Sequence, residues 1–409
     1  MSILKELLHE STTSAASAEG RPQLQALTRA VNNLIFTDLV AIQPTSQPIA
    51  ALFGVKYLND NGDMSFITPA TYGGKVGSRD RIPVMDMEAD YAVGSKFQFD
   101  NVVYEVIEDG VTMDSFATEE KRAIFIAMMG CKIRILTDAA DTAHFEERNT
   151  EVASARFMFD KWQVNVGTRK LKTEYTVELL QDLEANQIDS ENTIVDILAT
   201  AVSEEINKDI IQKLITVSKR YKVQGISENG ILDLATTTDA PAAAREVYRY
   251  ICEMSAEMLR ASSFGGTYVL ASARVVGLLD GSGWMYESDN PHSEGRLKNG
   301  LEVFADTTSP FDYVMVGCKH ALNDMEHVGS LFFSPYTESD GNGAFIAVVD
   351  PASLQHRVAL VNRYALSVNP YTAAEKNDGV HAGDQWDHLA GKSALSMILG
   401  IQLPALTFM

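Results

Sequence analysis

Residues 178–202 read "ELLQDLEANQIDSENTIVDILATAV" and hold two helical patterns separated by only a few residues, the second unusually long. The first pattern runs from about Thr173 to Ala185, with Tyr175, Leu179 and Leu183 recurring on one face. Asp189 or Ser190 caps the second, and Glu191 falls in its first turn, where the helix dipole favours an anion. Its apolar stripe continues through Val195, Leu198, Val202, Ile206 and Ile210. A helix of that extent is expected to brace something larger. Just upstream, Trp162, Val164 and Val166 alternate with Gln163 and Asn165, which predicts a strand with one apolar face, and the charged run "GTRKLKTEY" is expected to feed directly into the first helix.

Working outward, 409 residues exceed what one hydrophobic core usually supports, so two or more core units are expected. Hydrophobic residues make up 45% of the chain, and its 27 Gly and 12 Pro are spread among many turns, which excludes a disordered or fibrous protein. A formal net charge of -21 excludes a nonspecific nucleic-acid binder, because the phosphate backbone would be repelled over much of the surface. Cys131, Cys252 and Cys318 are widely spaced and odd in number, and are expected to be reduced, buried, small apolar residues. There is no apolar run of membrane-spanning length and no secretion signal at "MSILKELLHE", so synthesis in a cytoplasm is expected.

After that opening, "STTSAASAEG" reads as an extended arm, and Leu24, Leu27, Val31 and Leu34 mark a helix. "LVAIQP" is a short strand ended by Pro44. From about Ala50 to Asn149 the pattern changes to glycine-punctuated strands and loops of modest helicity, including a hairpin in "KFQFDNVVYEVIEDG". A further unit begins around Tyr221 to Gly230. Its helix, about Pro241 to Arg260, carries Val247, Ile251, Met254 and Met258 on one face. The strands "GGTYVLAS", "LEVFAD" and "DYVMVGCKH" then alternate with the short helix "ARVVGLLDGSG" around a mixed sheet. The tail strands "GAFIAVVDP", "HRVALVNRYAL" and "GIQLPALTF" are expected to return to the long-helix unit.

Catalytic patterns are weak. "GKS" at Gly391 to Ser393 would need a glycine where Trp386 stands, and "GGKVG" near Gly73 lacks the strong helix that would face a dinucleotide. His381, Asp384, Asp387 and His388 could converge on a divalent ion, but their Gly-containing polar loop lacks a rigid helix to hold ligands. His320 and His327 form no metalloprotease motif. Asp86, Glu88 and Asp90 read as a solvent-facing acidic edge. No catalytic, cofactor-binding or metal-ligating residue is therefore assigned, and no cofactor is expected.

The stretches "GTRKLKTEYTVELLQDLEANQ" and "NTIVDILATAVSEEINKDII" closely resemble the major capsid proteins of tailed phages related to T4. "LTRAVNNLIFTDLVAIQPTSQPIAALFGVKY", "GLEVFADTTSPFDYVMVG", "LFFSPY" and "DPASLQHRVALVNRYALSVNP" resemble further segments of the same family in the same order. The resemblance implies an α+β fold, the HK97-type capsid fold, with a spine helix from Asp189 to about Val217. It implies an N-terminal arm (1–20), a joining helix and strand (21–49) and an extended loop with a possible insertion (50–149). A peripheral domain (150–220), an axial domain (221–329) and return strands to the peripheral domain with a C-terminal segment (330–409) follow. The function implied is a structural major capsid protein forming hexameric capsomers of an icosahedral phage head around double-stranded DNA. It would be a non-enzyme made and assembled in a bacterial host cytoplasm. Alternatives are a vertex (pentamer) protein of the same fold, an encapsulin-like shell protein, and a divalent-metal hydrolase using His381, Asp384 and His388. Expected partners are copies of itself, neighbouring capsomers, vertex, portal, scaffold and decoration proteins, and packaged DNA held without sequence-specific binding. No membrane partner is expected. "LHE" at Leu8 to Glu10 matches the short apolar-x-Glu pattern after which the family's maturation protease cuts.

Overall fold

The computed structural model describes residues 35–58, 82–86, 89–99, 102–108, 120–136, 146, 156–178, 181, 190–223, 229–236, 239–262, 264–323, 326–337, 344–349, 355–369 and 385–405. The arm, the helix read at Leu24 to Leu34 and the "LHE" motif lie outside the described residues. In chain order the elements begin with α1 (Phe36–Leu39), β1 (Ala41–Ile42), β2 (Ile49–Leu58), β3 (Lys96–Phe99), β4 (Val102–Val106), α2 (Glu120–Met129) and β5 (Ile133–Ile135). Then come β6 (Arg156–Asn165), β7 (Gly167–Tyr175), the long helix α3 (Ser190–Val217), β8 (Ser218–Arg220), β9 (Ile231–Asp233), α4 (Ala240–Ser262), β10 (Tyr268–Ser272) and α5 (Ala273–Asp280). The chain continues through β11 (Met285–Tyr286), β12 (Gly295–Leu297), β13 (Glu302–Asp306), β14 (Tyr313–Gly317), β15 (Lys319–Asn323) and β16 (Glu326–Gly329). It closes with β17 (Leu331–Pro335), β18 (Ala344–Val349), β19 (His356–Val368), α6 (Trp386–Leu389) and β20 (Ser393–Gln402).

An eight-stranded mixed sheet, in the order β11-β12-β13-β10-β14-β20-β8 with β9 also on β20, organises the chain. Its central strands are apolar on both faces, and the period of two sends alternate residues to two separate cores. Tyr268 and Leu270 of β10, with Tyr313 and Met315 of β14, face the core built around α3. Val269, Ala271, Val314 and Val316 face the core built around α4 and α5. At the end of β14, Gly317 pairs with Tyr268, and an added Cβ there would lie 2.2 Å from the phenol ring, so only glycine fits.

The 28 residues of α3 span about 42 Å. Leu198, Val202, Ile206, Ile210 and Leu214 are buried between the eight-stranded sheet on one side and a five-stranded sheet on the other. In the five-stranded sheet β17 and β18 lie on one edge of β19 and β7 on the other, because β18 and β7 both pair with residues 356–361. β1 adds in parallel to β17. β2 and β6 form a separate antiparallel ribbon, paired from Ile49 with Asn165 to Leu58 with Arg156. β3, β4 and β5 form a small sheet whose own core is Phe97, Tyr104, Val106, Ile124, Ala127 and Ile133.

Three expectations change. The run "GTRKLKTEY" is strand β7 in its own right, and Tyr175 ends that strand rather than starting a helix. Exposed and more buried residues alternate from Thr168 to buried Tyr175, so pairing with β19 wins over the four-residue spacing. Leu179 and Leu183, which carried the helical pattern, lie outside the described residues. The last strand, expected in the long-helix unit, is β20 in the eight-stranded sheet, where Leu395, Met397, Leu399 and Ile401 face the α4 core and only Ile398 reaches the α3 core. Among the cysteines only Cys318 is buried; Cys252 is half-buried, and Cys131 is exposed with φ 57 just past the end of α2, a turn position that faces water. Among the described residues no helix is long and apolar enough to cross a membrane.

Candidate functional site: a basic cleft and the sheet edges

Where β6 turns into β7, the chain passes beside α3 and leaves a cleft of about 490 Å³. Asn165, Gly167, Thr168, Arg169, Lys170, Asp209, Lys213, Tyr364 and Trp386 line it. Arg169 is fixed by a network. Its Nε donates to the Tyr364 hydroxyl at 3.1 Å, Nη1 to Glu205 Oε2 at 2.8 Å and Nη2 to Asp209 Oδ2 at 3.4 Å. The Tyr364 hydroxyl donates in turn to Asp209 Oδ2 at 2.9 Å, which ties β19 to α3. Burial and the neighbouring Asp209 carboxylate push the Tyr364 phenol up to about 12. Lys213 Nζ lies 4.7 Å from the centroid of the Trp386 ring, a cation–π contact that holds α6 against α3.

Two of the outer strands of the five-stranded sheet, β7 and β18, differ in chemistry. β7 carries Arg169, Lys170, Lys172 and Glu174, with Lys172 and Arg357 both paired to Glu174. β18 carries no charge, yet Ile346, Val348 and Val349 are exposed. Lysines on an edge strand discourage indiscriminate pairing; a bare apolar edge does not. In the small sheet unit, Phe125, Ile126 and Met129 of α2 and Ile135 of β5 are also exposed.

A buried carboxylate, Asp306, ends β13 beside Tyr313 of the α3 core. Asp306 accepts hydrogen bonds from Thr308 N at 2.8 Å, Thr308 Oγ1 at 2.7 Å, Ser309 Oγ at 2.5 Å and the Tyr313 hydroxyl at 2.7 Å. Burial alone would raise this carboxyl, but the donors outweigh it and hold the group below the ordinary carboxylate range. Nearby, Lys319 Nζ donates to the Thr37 carbonyl, and His292 Nδ1 lies 3.0 Å from Asp38 Oδ2, which anchors α1.

Of the residues weighed as metal ligands, Asp387 and His388 are adjacent and exposed in the short helix α6, whereas His381 and Asp384 lie outside the described residues. Among the described residues no three His, Cys, Asp or Glu side chains cluster as a metal would need. Gly391, with φ 69, turns the chain out of α6 into β20, so "GKS" opens a strand and not the helix a phosphate loop requires. Asp86 and Asp90 are exposed, Glu88 lies outside the described residues, and His320 packs against Phe264 with ring centroids 5.7 Å apart. The cleft was missed in the sequence because its residues come from five separate elements. The one available signal was the basic run "TRKLK" in an otherwise acidic chain.

The family model described as Major capsid protein Gp23 matches residues 17–401. The capsid vertex protein of Enterobacteria phage T4 is 46% identical over 428 residues, covering 99% of this chain and 99% of that protein. The capsid vertex protein of Escherichia phage AR1 is likewise 46% identical, over 424 residues with the same coverage. The major capsid protein of Enterobacteria phage T4 is 24% identical over 419 residues, covering 88% of this chain and 77% of that one. Among solved structures, the capsid of Myoviridae Phage XM1 aligns at 8% identity and a TM-score of 0.41, covering 94% of this chain and 97% of that one.

Proposed function

The chain belongs to the Gp23 major capsid protein family, and on that premise we propose that it is the vertex subunit of a phage head, closing the shell as pentamers. It is a capsid shell protein of the virion head, with the α+β HK97-type fold. The observation that supports the vertex role over the hexameric one is the contrast in likeness to two proteins of one phage. The chain matches the T4 vertex protein at 46% identity from end to end, and the T4 major capsid protein at 24% with a quarter of that protein unmatched.

On this reading residues 150–220 are the peripheral domain with α3 as its spine, and 221–329 most of the axial domain, to which β20 adds from the C-terminal region. Residues 50–149 are the extended loop with an insertion holding β3, β4, α2 and β5. A rigid helix walled by two sheets suits a panel that carries load, and no cofactor chemistry is invoked. Other copies of the chain, the hexamer-forming shell protein, portal, scaffold and decoration proteins are the proposed neighbours, and the enclosed DNA is contained without being read.

The role is tested by counting copies. In purified particles, quantitative mass spectrometry is expected to find this chain far less abundant than the principal shell protein, and labelled particles are expected to show it at the corners by electron microscopy. A chain as abundant as the lattice subunit, spread over the faces, would instead assign the hexameric role.

A further inference from the structure

We propose that the cleft between β7, α3 and α6 receives a carboxylate-bearing segment of a second copy of this chain, with Lys170 and Lys213 as its charge partners. The proposal rests on the shell-subunit reading above. Arg169 already has both its carboxylates, Glu205 and Asp209, and adds little free charge. Lys170 and Lys213 differ. Among the described residues neither has a carboxylate within ion-pair distance, and Lys213 is held in place by the Trp386 ring instead. Lys170 and Lys213 both line the cleft, and the Trp386 ring lies against Lys213.

Charge complementarity selects the occupant. The chain carries 55 acidic and 34 basic residues, so copies of it repel one another at long range. A local excess of one sign facing the other offsets that repulsion, and unpaired lysines are the scarce member of that pair. The backbone supports the same choice. β7 pairs with β19 along one edge, and among the described residues no strand pairs with its other edge from Gly167 to Thr173. Exposed lysines on such an edge reject an uncharged or basic strand and admit an acidic one, which makes the contact selective. A DNA backbone fits less well, because Asp209 lines the same cleft and Glu174 the same strand.

Particles assembled from a mixture of light and 15N-labelled chains, treated with a zero-length carbodiimide that joins amines to carboxylates in contact, test this directly. The expected result is cross-linked peptides of mixed label that join Lys170 or Lys213 to an Asp or Glu of another copy. As a second measurement, Lys170→Gln, at a side chain with no ion pair among the described residues of the subunit, is expected to keep the subunit's melting temperature and to lower incorporation into particles several-fold, and the double variant Lys170→Gln, Lys213→Gln to lower incorporation about tenfold. Both lysines unlinked while other links between copies form, or linked only to a different shell protein, would overturn the proposal and leave the vertex reading standing. So would lysines that become reactive only after DNA is removed, since that result gives the cleft to DNA. A chain absent from particles altogether would defeat the shell reading itself.

Discussion

The two long helices, α3 and α4, are buried in opposite styles. At 3.6 residues per turn, the buried residues of α4 from Ala243 to Ser262 fall within an arc of about 120°, whereas those of α3 from Leu198 to Val217 sweep about 260°. The difference lies in the number of walls. α4 rests on one face of the eight-stranded sheet, with Arg245, Glu246, Glu253 and Glu257 on its outer side. α3 lies between the other face of that sheet and the five-stranded sheet, so Ile211, Leu214, Ile215 and Val217 find cover as well as the leading stripe. A helix with one wall can be lifted without disturbing what lies beyond it. A helix with two walls holds them together.

The most severe way to break this comparison is a charge inside the doubly walled helix. Ile210 is fully buried, and Ile210→Asp would place an unpaired carboxylate between the two sheets. A cost of about 4 kcal/mol or more is expected, enough to abolish soluble subunit. Leu198→Asp and Val202→Asp, on the same stripe, are expected to behave alike, with Glu204→Gln far milder. Equal soluble yields for Ile210→Asp and Glu204→Gln would mean that the buried face of α3 is misassigned.

A cavity in each helix separates one wall from two. Leu214→Ala and Met254→Ala each remove a buried side chain and are each expected to cost about 2–5 kcal/mol. Their size does not distinguish them, but their reach does. By hydrogen exchange, Leu214→Ala is expected to loosen amides of both β14 and β19, whereas Met254→Ala is expected to loosen β14 and leave β19 protected. Loss of protection confined to one sheet for Leu214→Ala would reduce α3 to a helix of the α4 kind.

How far each helix was legible in the sequence follows from the same contrast. For α4 the periodicity named Val247, Ile251, Met254 and Met258, and all four are fully buried, because one wall imposes one stripe. For α3 the stripe from Leu198 to Ile210 was visible, but Ile211, Leu214 and Ile215 were not part of it. A second wall removes the polar side that periodicity detects. The same blindness explains β20, whose two apolar faces leave no alternation to say which sheet it joins. β7 was hidden for another reason: its Leu171, Thr173 and Tyr175 alternate, but the lysines between them and the leucines after them suggested a helix. The cleft beside it depends on distant residues, Lys170, Lys213 and Trp386, that no local pattern relates.

Acid gives a smaller effect, confined to the α3 side of the eight-stranded sheet. Asp306 has a folded-state value below the ordinary one, so its contribution is fully present above about pH 3.9 and is lost as pH falls through the folded value. Asp306→Asn is expected to cost about 1–3 kcal/mol at neutral pH and to flatten the acid limb of the stability curve. An unchanged acid limb would show that other carboxylates set it. At the alkaline end the sign reverses in pH. Tyr364, pushed up to about 12, favours the folded state fully below about pH 10, and that advantage disappears as pH rises from about 10 to 12. Tyr364→Phe is expected to cost about 1 kcal/mol and to remove this alkaline loss, because β19 then loses its bond to Asp209 of α3.

The smallest expected effect belongs to the open side of α4, and it sharpens the comparison by being small. Glu257 pairs with Arg260 at 3.1 Å one turn along the helix, with side chains 39% and 59% exposed. Water screens such a pair, and holding two long side chains in one geometry costs most of what the contact returns. Glu257→Gln is therefore expected to change unfolding free energy by less than about 0.5 kcal/mol, measured by denaturant titration at low and moderate salt. The parallel change on α3, Glu205→Gln, removes a partner of Arg169 and is expected to cost more, because the guanidinium is also tied to Tyr364 and Asp209 and cannot simply turn to water. If the two substitutions cost the same, the network beside α3 carries no more than an ordinary surface ion pair. The link between the two sheets would then rest on apolar packing alone.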